Sequence, residues 1–369
     1  MRCLAKTSLD GGARMFLRLT FVLTAIASVS TTLAGEPMVR FTFEGRVVEG
    51  TQLHWADNFG AVLGRDGRWF NVEPKKAEGL RQVSNNFRPY SANDLRGQLQ
   101  QEFGNGFEVT GDAHYLVVTL KGQRDVWAPR FEELYRSFQQ YFTARGWRPS
   151  APQFPLIAVV FANQKEFQAY AAREGSKLGP GTLGYYSPVS NRILLYDITK
   201  SSQLDWSVNA ETIIHEAAHQ VAFNTGVHNR FAQPSRWVAE GLGTLFEARG
   251  VWNSARHKSQ SDRINRYRFE AFRNYAQTRR NAGALADLVS SDRVFNADAE
   301  GAYAEAWALT FFLSETDPRR YVEYLRKTAA QPNFTQRRSP ERLADFTGVF
   351  GTNIPLLEAK LLRFMQELK

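Results

Sequence analysis

His215-Glu216-Ala217-Ala218-His219 lies inside a run of apolar residues, and that combination fixes the conformation of this stretch more tightly than any other in the chain. Two histidines four apart share a face only on a helix, where one metal ion can reach both imidazoles and the carboxylate between them can handle protons. The flanks agree. Ile213, Ala217 and Val221, with Ile214 and Ala218, recur at helical spacing from Trp206 onward, Ser207 or Asn209 is placed to cap the start, and Gly226 to end it. The spacing predicts a largely buried helix whose one polar edge carries the histidine pair. A lone histidine there would more simply be a hydrogen-bonded core residue; a pair flanking Glu216 points to metal.

Catalytic zinc takes three protein ligands and keeps one position open. The longer HExxHxxGxxH form is excluded, because Ala222 and Thr225 occupy the matching positions. Downstream, Pro234 to Gly250 reads as a second helix, started near Ser235, packed through Trp237, Val238, Leu242, Leu245 and Phe246, and closed by Gly250. Glu240 follows His219 with twenty residues between, and Glu247 lies seven further on, nearly two turns along the same face. A helix glutamate is most often solvated. Here the packed surroundings, and the expense of Gly241 and Gly243 in a helix interior unless another backbone comes close, favour Glu240 as the third ligand.

His-Glu-Ala-Ala-His followed by Trp-Val-Ala-Glu-Gly resembles the gluzincin class of zinc peptidases, whose aminopeptidase branch carries HExxH and then a WxxEG helix with a further Glu. The resemblance implies one zinc ion on His215, His219 and Glu240, Glu216 as general base, and Glu247 behind the ligands. Phe87-Arg88-Pro89-Tyr90-Ser91, His114-Tyr115-Leu116-Val117, Gly184-Tyr185-Tyr186-Ser187, Asn191-Arg192 and Tyr196-Asp197 are similar to an uncharacterised bacterial domain-of-unknown-function family of the same peptidase clan. That likeness covers roughly residues 40 to 315. Gly301 to Leu313 resembles the helix that carries the oxyanion-stabilising tyrosine of gluzincin aminopeptidases, which makes Tyr303 the matching residue; a tyrosine that merely packs is the competing account.

Those parts make amide hydrolysis the expected reaction. Zinc lowers the pKa of a bound water toward about 7 and polarises a carbonyl. Glu216 takes the water's proton and returns it to the leaving amine. The GxMEN-type strand that holds a substrate amine in aminopeptidases has no clear counterpart near Gly181-Tyr186, so an endopeptidase is expected. The other class of function is a non-catalytic scaffold or binding protein that keeps the fold. Intact Glu216 argues for the enzyme.

Arg2, Lys6, Arg14 and Arg18 precede or enter an apolar run from Leu19 to Val29, which ends in Thr32-Leu33-Ala34 before Gly35. This is the pattern of a secretory signal over residues 1–34, too short for a comfortable membrane span. Export to the periplasm or exterior is expected, with no stable membrane span after cleavage; an uncleaved N-terminal anchor is the competing account. Cleavage removes Cys3, the only cysteine, so neither thiol ligand nor disulfide remains. The formal charge of +9 falls to +6 once the four cations and one anion of that segment are set aside. Such a balance suits acidic surfaces or peptides. The arginines from Arg263 to Arg280 are spaced with Glu270 and aromatic residues like a solvated helix face, so a nucleic-acid partner is not expected. The expected partner is a peptide or protein substrate, and oligomeric state is unreadable.

The fold class expected is α+β: a gluzincin-like unit with a mixed sheet, the HExxH helix and a helical lobe, preceded by a small β module. The boundaries read as 36–80 for the β module, weakly SH3-like; 81–112 for a polar bridge with a helix at Ala92-Phe103; 113–250 for the catalytic domain; and 251–369 for the helical lobe. The resemblance to gluzincins, in which an edge strand pairs with an extended peptide, implies that Gly184-Ser187 or Ile193-Tyr196 lines the cleft. His54, His114, His228 and His257 read as structural or surface residues, His228 being the one close enough in sequence to approach the cleft.

Overall fold

A computed structural model describes residues 35–122, 127–179, 181–197 and 206–368, without the side chains of 206–209. The signal segment 1–34 and the capping side chains of Ser207 and Asn209 lie outside the described residues. The chain forms two compact units, one made of 35–129 and 152–197, the other of 130–151 and 206–368. The sheet strands within the expected segment 113–250 thus group with the β module, and its HExxH helix groups with the C-terminal helices.

In the first unit β1 (Met38–Phe43), β2 (Arg46–Ala56), β3 (Phe59–Gly64), β4 (Trp69–Val72) and β5 (Glu78–Ser84) form an antiparallel sheet in the order β4-β3-β2-β1-β5. Alternation places Val39, Phe41, Val48, Val62 and Val72 on one packed face, with Trp55 and Phe70 against it. β5 extends this sheet past the expected boundary at 80. It is exposed along almost its whole length, so it carries no alternating pattern, and its extended form comes from pairing with β1.

The second sheet contains β6 (Phe107–Gly111), β7 (Tyr115–Leu120), β8 (Leu156–Phe161), β9 (Gly184–Ser187) and β10 (Arg192–Tyr196), in the order β6-β7-β8-β10-β9. β7, β8 and β10 are parallel neighbours, and their continuous apolar runs suit strands buried on both faces. α1 (Ala92–Phe103) and α3 (Gln164–Arg173) cover one face through Leu95, Leu99, Phe167 and Tyr170. β10 is paired on both sides, which removes Ile193-Tyr196 as a free edge; β9 is the outer strand.

A buried ion pair ties these elements together. Arg192 forks onto Glu102 through Nη1 to Oε1 at 2.8 Å and Nη2 to Oε2 at 2.9 Å, and the Tyr170 hydroxyl donates to the same Oε1 at 2.6 Å. Burial works against the Glu102 carboxylate, but Arg192, Arg68 and the tyrosine outweigh it and hold its pKa at about 2. A folded pKa below the ordinary 4.5 stabilises the fold above that value, and the contribution vanishes as pH falls toward about 2. The urea midpoint of Glu102→Gln is therefore expected below that of the parent protein at pH 6, with the gap closing as both are titrated to pH 2. A gap independent of pH would remove the ion pair from the account.

Helix α2 (Trp127–Thr143) runs mostly in the second unit, with α4 (Trp206–Asn224), α5 (Arg236–Phe246), α6 (Arg249–Trp252), α7 (Arg266–Thr278), α8 (Ala284–Ser290), α9 (Arg293–Ala297), α10 (Ala299–Thr316), α11 (Pro318–Ala329), α12 (Ser339–Phe350) and α13 (Ile354–Glu367). α10 is buried without interruption from Gly301 to Ser314, the profile of a central helix packed on every side. α5 lies against it. A Cβ on Gly241 would stand 2.7 Å from the Ala306 carbonyl, so this glycine is what lets the two backbones approach.

The arginines between Arg263 and Arg280 are not uniformly solvated as the spacing suggested. Arg266, Arg273 and Arg279 face water, whereas Arg263 pairs with Glu315 at 2.6 Å and Arg280 is buried between Glu305 at 2.7 Å and Glu358 at 2.5 Å. Periodicity defines a polar face but not which carboxylates from distant helices pack on it.

Among the described residues no helix is long and apolar enough to cross a membrane.

Candidate metal centre

α4 ends where its sequence predicts, with Gly226 beyond the last turn at a φ of 79°. Its helical period puts the ring nitrogens of His215 and His219 face to face, Nε2 to Nε2 at 3.0 Å. α5 packs against α4 and brings in Glu240, whose Oε2 lies 3.3 Å from His215 Nε2 and 3.7 Å from His219 Nε2. All three ligand atoms fall within 4.8 Å of one another.

These spacings test whether a metal fits. Donors on a tetrahedral zinc with bonds of about 2.0–2.1 Å stand roughly 3.3 Å apart, and the three edges bracket that value. Glu240 is 1% exposed, and its Oε2 is buried with only the two imidazoles among the described residues to meet it, at 3.3 and 3.7 Å. A buried carboxylate oxygen left this way is costly unless a cation meets it. The donor set and its spacing therefore suit one zinc ion.

The surroundings hold His215 firmly. Its Nδ1 donates to Glu247 Oε1 at 2.8 Å, which orients the ring and leaves Nε2 facing Glu240. Asn265 Nδ2 donates to Glu247 Oε2 at 2.6 Å and to the Thr244 carbonyl at 3.0 Å, while Asn265 Oδ1 caps α7. Burial opposes a charge on His215, yet the carboxylates of Glu240 and Glu247 raise its pKa to about 10. Those imidazoles lower the pKa of Glu240 despite its burial. Glu216 is also buried, and its charge acts on His215.

Two expectations about the second helix change. α5 ends at Phe246 with Glu247 as its C-terminal cap, and Gly250 lies within α6 instead of closing the helix. Gly243 makes room for an imidazole and not for a backbone: a Cβ there would stand 2.7 Å from His215 Cε1. The HExxH pattern gives no hint of this, because the clash is set by how α4 crosses α5.

Tyr303, on α10, is buried with its ring edge-on to Phe295. Arg236 hydrogen-bonds it and lies 5.8 Å from the ring centroid, and Arg268 lies 5.2 Å from the same centroid. Arg236 is one turn ahead of Glu240 and interacts electrostatically with it. Sequence reasoning passed over Arg236, Arg268 and Asn265; only the four-residue step from Arg236 to Glu240 was visible in advance.

His228 is buried, and not a surface residue. Its Nδ1 donates to the Val227 carbonyl at 3.0 Å, and burial together with the nearby His219 pushes its pKa down to about 3, so it stays neutral. It lies outside the group of three ligand atoms.

Residues 209–335 match a family described as a protein of unknown function, DUF1570. The match takes in most of α4, all of α5 and Tyr303, and so contains His215, Glu216, His219, Glu240 and Glu247. It starts well after residue 40, where the likeness read from the sequence begins, and runs past residue 315. No curated protein matches the chain.

Proposed function

We propose that this protein is an exported zinc-dependent peptidase, acting as an endopeptidase on peptides or proteins outside the cytoplasm. The observation that carries this reading is the triangle of His215, His219 and Glu240 donor atoms at zinc-like spacing, with the carboxylate of Glu216 in the same helical turn. The likeness of this motif pair to gluzincins supports the same reading. When bound, zinc supplies a Lewis acid that polarises a carbonyl and acidifies water.

The chain supplies the rest. Glu216 accepts the proton of the attacking water and delivers it to the leaving amine. Arg236 can only donate, so in its bond with Tyr303 the phenol oxygen is the acceptor and the phenol hydrogen is directed elsewhere. The resemblance to gluzincins assigns Tyr303 the role of donor to the developing oxyanion, a contribution of about 2–4 kcal/mol by comparison with other oxyanion donors. Glu247 and Asn265 keep His215 aimed.

Metal analysis of the purified protein, with digestion of a peptide library in the presence and absence of a chelator, tests the proposal. Stoichiometric zinc and chelator-sensitive cleavage are expected; zinc without cleavage of any peptide would favour the scaffold. Gly243→Ala provides a second check. The added methyl displaces the His215 ring, so zinc affinity is expected to fall about 10- to 100-fold, the range seen when metal ligands lose their orientation. Unchanged affinity in a competitive titration with a chromophoric chelator would show that the ring relaxes freely.

A further inference from the structure

Arg268 stands apart from the other half-buried or buried arginines. Arg192 meets Glu102 at 2.8 Å, Arg280 meets Glu358 at 2.5 Å, and Arg342 meets Asp292 at 2.7 Å. The Arg268 side chain is only 18% exposed, yet its guanidinium donates no hydrogen bond to any described residue. Its Nε is buried without a hydrogen bond, as is the Nε of Arg192. The nearest carboxylate oxygen, Glu247 Oε2, is 3.9 Å away and already receives Asn265 at 2.6 Å. Glu211 also interacts with the guanidinium electrostatically, and the rest of its setting is aromatic: it lies 5.2 Å from the ring centroids of both Tyr267 and Tyr303.

Of this guanidinium only Nε is buried without a hydrogen bond, and stacking fixes its plane while leaving the terminal N–H fork able to meet a ligand. That fork matches a carboxylate in shape and charge. Its location gives it a use. Glu247, beside Arg268, is the residue that orients His215, and Tyr303 lies between Arg268 and Arg236. An anion bound to Arg268 would therefore lie next to the three donor residues, where the charge of Arg236 attracts it and those of Glu247 and Glu211 oppose it.

We propose that Arg268 is the receptor for a carboxylate on the substrate, so that the enzyme prefers peptides with a carboxylate close to the bond it cleaves. The proposal rests on the peptidase reading. The carboxylate is either the peptide's C-terminus or an Asp or Glu side chain, and the two sources are separable by experiment.

The full chain, loaded with zinc, is offered peptide pairs identical except for a free or amidated C-terminus, and pairs identical except for Glu or Gln beside the scissile bond. In parallel, the affinity of each pair for the zinc-loaded Glu216→Gln protein is measured by calorimetry, which needs no turnover. The carboxylate member of one pair type is expected to win by about 10- to 100-fold in kcat/KM and in affinity, the scale of a hydrogen bond to a charged group. Arg268→Gln should abolish that preference, while Arg268→Lys keeps part of it and serves as the control for folding, together with zinc content. Equal values within every pair, or a preference that survives Arg268→Gln, overturns the proposal. Cleavage without preference leaves the peptidase reading intact. Zinc uptake without cleavage of any peptide overturns that reading instead, and the calorimetric pairs then still decide what Arg268 binds.

Discussion

Glu216→Gln is expected to yield a protein that folds and takes up zinc but hydrolyses peptides about 10²- to 10⁴-fold more slowly. The substitution keeps size and planarity, so the packing of a side chain that is 4% exposed is preserved. What disappears is the ability to accept a proton at neutral pH, since an amide offers no basic site in that range. Metal uptake should not suffer. The negative charge of Glu216 favours the protonated form of His215, so its removal eases the deprotonation that a ligand requires. The measurement is kcat on a cleavable peptide beside zinc content and an unfolding midpoint for the same preparation. Full turnover with zinc bound would mean that another group moves the proton, and the proposed role of Glu216 would be lost.

The parts of this chain legible in its sequence are those set by local periodicity. α4 was readable because apolar residues repeat at helical spacing up to Gly226, and the same repeat places His215 and His219 on one edge. The downstream Glu240 could be named because it sits in a packed apolar helix at a spacing known from zinc peptidases. β5 escaped notice because an exposed strand has no alternation to show. Contacts between distant segments were also hidden. Asn265 drew no reading from the sequence, and its bond to Glu247 exists because the start of α7 packs beside the end of α5. Arg268 and Arg280 share one amphipathic pattern, yet one meets two tyrosine rings and the other two buried glutamates. Residue spacing along a helix cannot separate those fates.

Glu240→Ala tests the other half of the site, the holding of metal as opposed to the movement of protons. Zinc affinity is expected to fall by more than about 100-fold, beyond what loss of a merely orienting residue causes. Two imidazoles on α4 would remain, but a tetrahedral ion would then have two protein ligands, and water would have to replace a charged oxygen. Glu247→Gln is the matched comparison. Its amide keeps a contact to His215 Nδ1 while removing the charge, so affinity should fall by about 10- to 100-fold and not collapse. The order of the two losses carries the argument, because it distinguishes a ligand from the group behind a ligand. Competitive chelator titration gives both affinities, and the absorption of a cobalt-substituted sample reports coordination number separately. If Glu240→Ala binds zinc as tightly as the parent protein, the carboxylate of residue 240 is not in the cage, and the spacing of its Oε2 from the two imidazoles would need a reason other than metal.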